Sequence, residues 1–441
     1  MYIQRKIDSS LIEWMTEKDR KPLLIRGARQ IGKTTAIRHL AERFDNFIEL
    51  NFEFDSEIGK IFESNFDITR ICSALEAHVN QRIIPGKTLL FFDEIQVCPR
   101  AISSLRYFYE KKPDLHVIAT GSLLEFVFED ISDFGVGRIR NMFMHPLSFD
   151  EFIMAIGENI TLEHAKEAAF SNPLTEPVHR KMLELLKNYL IVGGMPAAVS
   201  KFAETRSFIE VQKQHQDILT SLKADFGKYK KRVPAARILE VFRSVLNQTG
   251  EKFIYTNSQA GLDNKQSKEC ITLLEMAKLI YRIDACHGNG VPLGGDVKAN
   301  FSKFLFLDTG LYLTASELDL SEWILDESTA FVNRGKLAEM FVGLELAKNV
   351  SPFNDNPLFY WHREERGSNA EVDYIVQFKN KVLPIEVKSG KRGSMKSLNI
   401  MMKEKQLLLG IRTSAENFGT IGNVKIIPLY RIGDYNKLLS E

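Results

Sequence analysis

Cysteine is scarce in this chain: Cys72, Cys98, Cys270 and Cys286 are its four, scattered through 441 residues with no C-x-x-C pair among them. That excludes a disulfide-stapled scaffold and a paired-cysteine zinc site, and leaves reduced thiols of a cytosolic kind. An excess of one charge is missing too, with 58 basic against 57 acidic residues and a formal net charge of +1. The chain as a whole is therefore no generic polyanion binder, and any contact with nucleic acid must come from local patches. Apolar runs are short. None approaches the ~20 residues of a membrane span, and Met1-Tyr2-Ile3-Gln4-Arg5-Lys6 leads into no signal-peptide core, so no membrane partner and a cytoplasmic location are expected. What is present is an ordinary supply of core residues, 44% hydrophobic, in a length that suggests two or three domains.

The most informative segment is Gly27-Ala28-Arg29-Gln30-Ile31-Gly32-Lys33-Thr34, a full G-x-x-x-x-G-K-[ST] phosphate loop, with Thr35 beyond it. It lies between the apolar Leu23-Leu24-Ile25 and a helix-like stretch, the strand-loop-helix context the motif requires. Glycines at both ends let backbone N–H groups turn inward around phosphates, Lys33 meets the terminal phosphates, and Thr34 coordinates Mg²⁺. A second strand, Thr88-Leu89-Leu90-Phe91-Phe92, ends in Asp93-Glu94. Its continuous apolar run reads as a strand buried on both faces, delivering Asp93 to the Mg²⁺ shell and Glu94 to a water that attacks the terminal phosphate. Hydrolysis is thereby favoured over phosphoryl transfer to a small molecule.

Phe47 to Phe52 reads as an intervening strand, and Leu115 to Ala119 as another that ends in Thr120-Gly121-Ser122. In phosphate-loop ATPases with an added strand, a polar residue at that tip senses the terminal phosphate; Thr120 and Ser122 are the candidates. Arg138, in the glycine-bearing Phe134–Arg140 stretch, is the candidate transition-state arginine, acting in its own subunit or across an oligomer interface.

Together with His145-Pro146-Leu147-Ser148-Phe149-Asp150-Glu151-Phe152, Gly193-Gly194-Met195-Pro196 and Lys303 to Leu311, these motifs resemble one family. It comprises the AAA-type ATPases of bacteria and archaea in which the ATPase module is fused to a C-terminal domain of uncharacterised function. The resemblance implies ATP rather than GTP, a sheet of the ASCE type, and no settled biological process. Gly193-Gly194 is expected to form a tight turn closing a helical lid.

Beyond the basic Lys228-Tyr229-Lys230-Lys231-Arg232, apolar positions Ile238, Val241, Phe242, Val245 and Leu246 mark a helix. A short strand at Phe253-Ile254-Tyr255, a helix around 258–262, a third helix bearing Cys270, Leu273, Leu274 and Ala277, and the extended Leu279 to Ile283 follow. This is the order of a winged helix, whose third helix would offer Lys265, Gln266 and Lys268 to DNA; packing between domains is the competing use. Further on, Glu371 to Val376, a Lys379-Asn380-Lys381 turn and Val382 to Lys388 form a hairpin with acids on one edge. Strand alternation puts Glu386 and Lys388 on one face, with Asp373 opposite, so two carboxylates can hold Mg²⁺ and Lys388 can orient water. These residues resemble the core motif of the PD-(D/E)xK nuclease superfamily, with Glu339 matching its upstream acid. His362, Arg363 and Arg366 precede the hairpin as candidate phosphate contacts.

The expected architecture is α/β: a P-loop ATPase core over 1–155, a helical lid over 156–232, a winged-helix-like region over 233–300 and a nuclease-like domain over 301–441. The expected activity is hydrolysis of ATP with Mg²⁺, coupled to DNA binding or processing. The alternative is a nucleotide-dependent switch that acts on a protein partner through an inactive nuclease-like fold.

Overall fold

A computed structural model of the chain describes residues 2–63, 65–122, 124–128, 137–229, 233–255, 264–318, 335–355, 357–365, 368–388 and 395–440. The fold divides into two compact units. The first comprises Met1–His145 with the short pieces Met276–Lys278 and Ser351–Asp355; the remainder is the second.

In the first unit five strands, β1 (Leu23–Arg26), β2 (Asn46–Asn51), β3 (Thr88–Asp93), β4 (His116–Thr120) and β5 (Arg140–Phe143), form one parallel sheet in the order β2-β3-β4-β1-β5. Every residue of β3 and β4 is buried, as a sheet covered on both faces requires. The helix Pro99–Lys111 shows how the cover is built: Ala101, Ile102, Leu105 and Phe108 recur at helical spacing and all are buried, while proline starts the first turn without losing a needed N–H. Because β4 lies between β1 and β3, the carboxyl-terminal tips of three strands converge. The phosphate loop, the Thr120 tip and the Asp93-Glu94 pair all leave the sheet at that edge.

The second unit opens on helices. Ser148 caps the helix Phe149–Ala155 in a reciprocal capping box with Glu151, which explains the Ser-Phe-Asp-Glu run as a helix start. The helix Glu176–Val192 ends at Gly193, whose φ is +71°, and Pro196 begins the next helix, Pro196–Thr205. The Gly193-Gly194 turn is tighter than a lid ending alone demands. Gly194 N–H donates to Asp308 at 2.5 Å, Leu147 N–H donates to the Gly194 carbonyl at 2.7 Å, and Asp308 caps its own helix by accepting from Leu311 N–H at 3.0 Å. A Cβ on Gly194 would run into the Leu147 backbone, and one on Gly193 into the Asp308 carboxylate. Three separated motifs, at 147, at 193–194 and at 308, thus meet at one buried joint.

The second sheet has eight strands: β6 (Ile280–Cys286), β7 (Val297–Phe306), β8 (Leu358–Glu365), β9 (Ser368–Phe378), β10 (Lys381–Val387), β11 (Gly410–Ser414), β12 (Gly419–Ile421) and β13 (Val424–Pro428). Their order is β12-β13-β11-β10-β9-β8-β6-β7, with β10-β11, β11-β13 and β6-β8 parallel and the other neighbours antiparallel. The expected boundary between 300 and 301 falls inside β7. The β6–β7 hairpin of the middle region pairs through β6 with β8, so the two regions share one sheet. The first boundary likewise shifts, from 155/156 to 145/146. Of the expected winged-helix elements, the helices Ala235–Asn247 and Asn264–Met276 and the β6–β7 hairpin are present. The short strand reduces to an isolated bridge between Lys252 and Lys303, and the helix around 258–262 lies outside the described residues, as do Lys230, Lys231 and Arg232.

Gly194→Ala should destabilise the protein by about 2 kcal/mol or more, because the added methyl can be housed only by moving the backbone. Urea unfolding of the purified variant measures this, and an unchanged midpoint would contradict the joint described here.

Candidate active site at the phosphate loop

The loop after β1 turns inward through three positions of positive φ, +147° at Gly27, +63° at Gln30 and +93° at Gly32; two are glycines, and Gly32 starts the helix Lys33–Ala41. Gly27 has no room for a side chain against the Met144 carbonyl. Lys33 is buried, and its ammonium donates to the carbonyls of Gly27 at 3.0 Å and Ala28 at 2.7 Å. Burial lowers the Lys33 pKa to about 8, against the opposing pull of the Glu94 and Asp93 charges. An incoming polyanion gives that ammonium a countercharge that the carbonyls do not supply.

Asp93 sits at the centre of the opposite wall. Its carboxylate accepts from Thr34 Oγ1 at 3.1 Å, Thr120 Oγ1 at 2.5 Å, Asn51 Nδ2 at 3.4 Å and the Glu94 N–H at 3.1 Å. Glu94 follows in the left-handed region with φ +50°, a conformation that turns its side chain away from the strand direction. Its Oε2 accepts from Gln96 Nε2 at 2.5 Å and from Ser122 Oγ at 3.3 Å. The two hydroxyls at the tip of β4 therefore divide their work: Thr120 reads Asp93 and Ser122 reads Glu94. Asn51 and Gln96 were not singled out from the sequence; Asn51 becomes legible only once β2 is known to end beside β3, since the two strands pair Asn51 with Asp93.

Arg138 is not at this site. It precedes β5, at the amino-terminal edge of a parallel sheet whose carboxyl-terminal edge carries the phosphate loop, and its Nε pairs with Glu110 at 2.5 Å near the end of the helix Pro99–Lys111. As an arginine acting on the nucleotide of its own subunit it is ruled out by this topology. Arg29 stays close to the loop, 3.9 Å from Glu53. The arginine that does serve the loop is Arg5: buried, it donates through Nη1 to the Ile31 carbonyl at 2.9 Å and through Nη2 to the His145 carbonyl at 2.7 Å. Arg5, one of two adjacent basic residues before the first helix, carries no sequence signal of that role.

The hairpin of the second unit forms as the sequence suggests, β9 and β10 joined by Lys379 and Asn380 at φ +45° and +60°. Lys388 pairs with Glu386 at 2.5 Å, and Asp373 accepts from Val387 N–H at 2.7 Å. Glu339 does not complete a metal site with them. Its carboxylate is held at 3.0 Å by the buried ammonium of Lys303, which also takes Glu371 at 2.6 Å. Among the described residues no three of His, Cys, Asp and Glu converge to hold a metal ion. Burial raises Glu339, to about 8, Glu386, to about 7, and Asp373, while the Lys303 ammonium pulls Glu339 and Asp373 the other way. Arg363 is paired with Glu404 at 3.3 Å, and Arg366 lies outside the described residues.

Comparison with known proteins gives three matched segments. Residues 19–153 match an AAA domain, residues 183–322 a domain of unknown function (DUF8612), and residues 334–432 another domain of unknown function (DUF4143). No curated protein matched. Among solved structures, the Walker-type ATPase paby2304 of Pyrococcus abyssi is similar over 71% of this chain and 95% of its own, at 15% identity and a TM-score of 0.44. AMPPCP-bound DnaA from Aquifex aeolicus covers 61% of this chain and 77% of its own, at 14% identity and a TM-score of 0.28. The phosphate loop, the strand order and the family match define residues 19–153 as an AAA-type ATPase domain. All four cysteines are free, and among the described residues no helix is long and apolar enough to cross a membrane.

Since phosphate binding favours the protonated Lys33, kcat/KM for ATP should fall as pH rises through about 8, the value in the free protein. A pH profile of initial rates tests this; Lys33→Arg, which does not titrate there, should remove the alkaline limb from whatever activity remains.

Proposed function

We propose that the chain hydrolyses ATP to ADP and phosphate with Glu94 as the base. The observation that carries this is the Asp93-Glu94 pair, anchored by Thr34, Thr120 and Ser122 beside the buried Lys33. The water oxygen bonds to the terminal phosphorus, the bond from that phosphorus to the bridging oxygen breaks, and the water's proton passes to the Glu94 carboxylate. Lys33 offsets charge on the phosphate oxygens. The Thr34 hydroxyl and the Asp93 carboxylate, 3.1 Å apart, are the hard oxygen donors that Mg²⁺ takes, and Mg²⁺ would neutralise phosphate charge there. Glu94→Gln should keep ATP affinity within about threefold while lowering turnover by at least about a hundredfold. Equilibrium binding of labelled ATP and single-turnover hydrolysis check the two halves separately, and sustained turnover would move the base elsewhere.

The partner we propose is DNA, bound without being cut. Its support is the helix Asn264–Met276 packed in sequence with the β6–β7 hairpin, with Lys265 and Lys268 exposed on that helix. If both lysines meet phosphates, ATP turnover should be stimulated by duplex DNA. Lys265→Ala with Lys268→Ala should then flatten the log–log salt dependence of binding by about two. Turnover indifferent to DNA and RNA favours the second reading, a switch acting on a protein partner. The pairing of Glu339 with Lys303 supports binding without cleavage in both readings, because it draws the upstream acid away from Asp373 and Glu386.

A further inference from the structure

Lys303 lies on β7, opposite Ile283 of β6, and is almost wholly buried. An ammonium there needs strong compensation, since an unpaired charge taken out of water loses its hydration with nothing to replace it. The compensation comes from three sides. Glu339, on the helix Gly335–Lys348, accepts at 3.0 Å; Glu371, on β9, accepts at 2.6 Å; and the ring of Tyr360, on β8, lies 5.0 Å from Nζ. Glu339 is fixed in turn, for Tyr374 Oη donates to its backbone carbonyl at 2.8 Å. Across the hairpin, one oxygen of buried Glu386 accepts from Lys388, while the other, Oε2, has no hydrogen-bond partner among the described residues. The cluster is thus built to surround a cation, and its own chain supplies one.

We infer that Lys303 is a resident cation that takes the place of a divalent metal ion in this acidic cluster and keeps such ions out. The two carboxylates it engages belong to the helix and the strand that would otherwise join Asp373 and Glu386 around an ion. With those two committed, Asp373 and Glu386 are left as a pair, and Glu386 is itself engaged by Lys388, so no cage of protein oxygens surrounds an ion there; two carboxylates hold such an ion only with waters and a substrate's phosphates to complete its shell. The ammonium also ties three segments together, so the region behaves as a fixed body and not as a metal-dependent enzyme. This rests on the cluster alone and is independent of the ATPase reading.

Titration of full-length, nucleotide-free protein with Mn²⁺, followed by electron paramagnetic resonance, tests the inference. Wild type should bind no ion at the cluster up to about 1 mM. Lys303→Met should gain one ion per chain, lost again on adding Asp373→Ala, and Lys303→Arg should gain none. Two results would overturn it: a wild-type ion lost on Asp373→Ala, or a folded Lys303→Met that gains nothing. If the Met variant is insoluble, the wild-type arm still decides, and ATP turnover measured on the same samples keeps the two readings distinguishable.

Discussion

One carboxylate organises the nucleotide site. Asp93 accepts from four donors, contributed by the loop helix, β2, β4 and its own neighbour. Hydrogen bonds to a charged group each contribute roughly 1.5–3 kcal/mol, about twice a neutral one. The position of every element around the phosphate loop is therefore referred to a single buried group. That arrangement needs β4 to lie between β1 and β3; with the two strands adjacent, Thr34 would have Asp93 but neither Thr120 nor Ser122 would reach the acidic pair. Strand order, not the motif itself, is what sets Glu94 among its partners.

The rest of the first unit reinforces the same edge. Arg5 bridges the Ile31 carbonyl of the loop and the His145 carbonyl at the last residue before the second unit begins. One rigid, forked side chain thus spans the loop and the point where the chain leaves the ATPase sheet. Beyond that point, the Leu147 N–H and Asp308 fix Gly194 from opposite sides. Residues 145 to 148 consequently run between two anchored joints.

Much of this was legible in the sequence because the relevant signals are local. The phosphate loop has glycine at two of its three positive-φ positions, Gly27 and Gly32, β3 is apolar because both its faces are covered, and the Lys379-Asn380 turn announces its hairpin. The losses came where position depends on sheet order. Arg138 sits on a loop with the right composition, but β5 is parallel to β1 and its start lies at the far edge. The 300/301 boundary failed for a related reason, since nothing local in β7 tells that β6 continues into the C-terminal sheet. Glu339 matched a family pattern in one dimension, and the competing ligand for it, Lys303, stood 36 residues away on strand β7.

The two buried lysines show how burial alone does not define a role. Lys33 is surrounded by neutral carbonyls in contact and by carboxylates that act only through space, so loss of water dominates and its pKa drops to about 8. Lys303 loses water as completely, yet the charges of Glu339 and Glu371, both in contact, outweigh that loss and hold it above the ordinary lysine range. The first is an unsatisfied cation, whose energy falls when a phosphate arrives. The second already has its anions. A protein that binds a polyanion at one site and must not gather stray metal at another needs lysines of both kinds, and the difference between them is decided by whether the counter-charge comes from the ligand or from the fold.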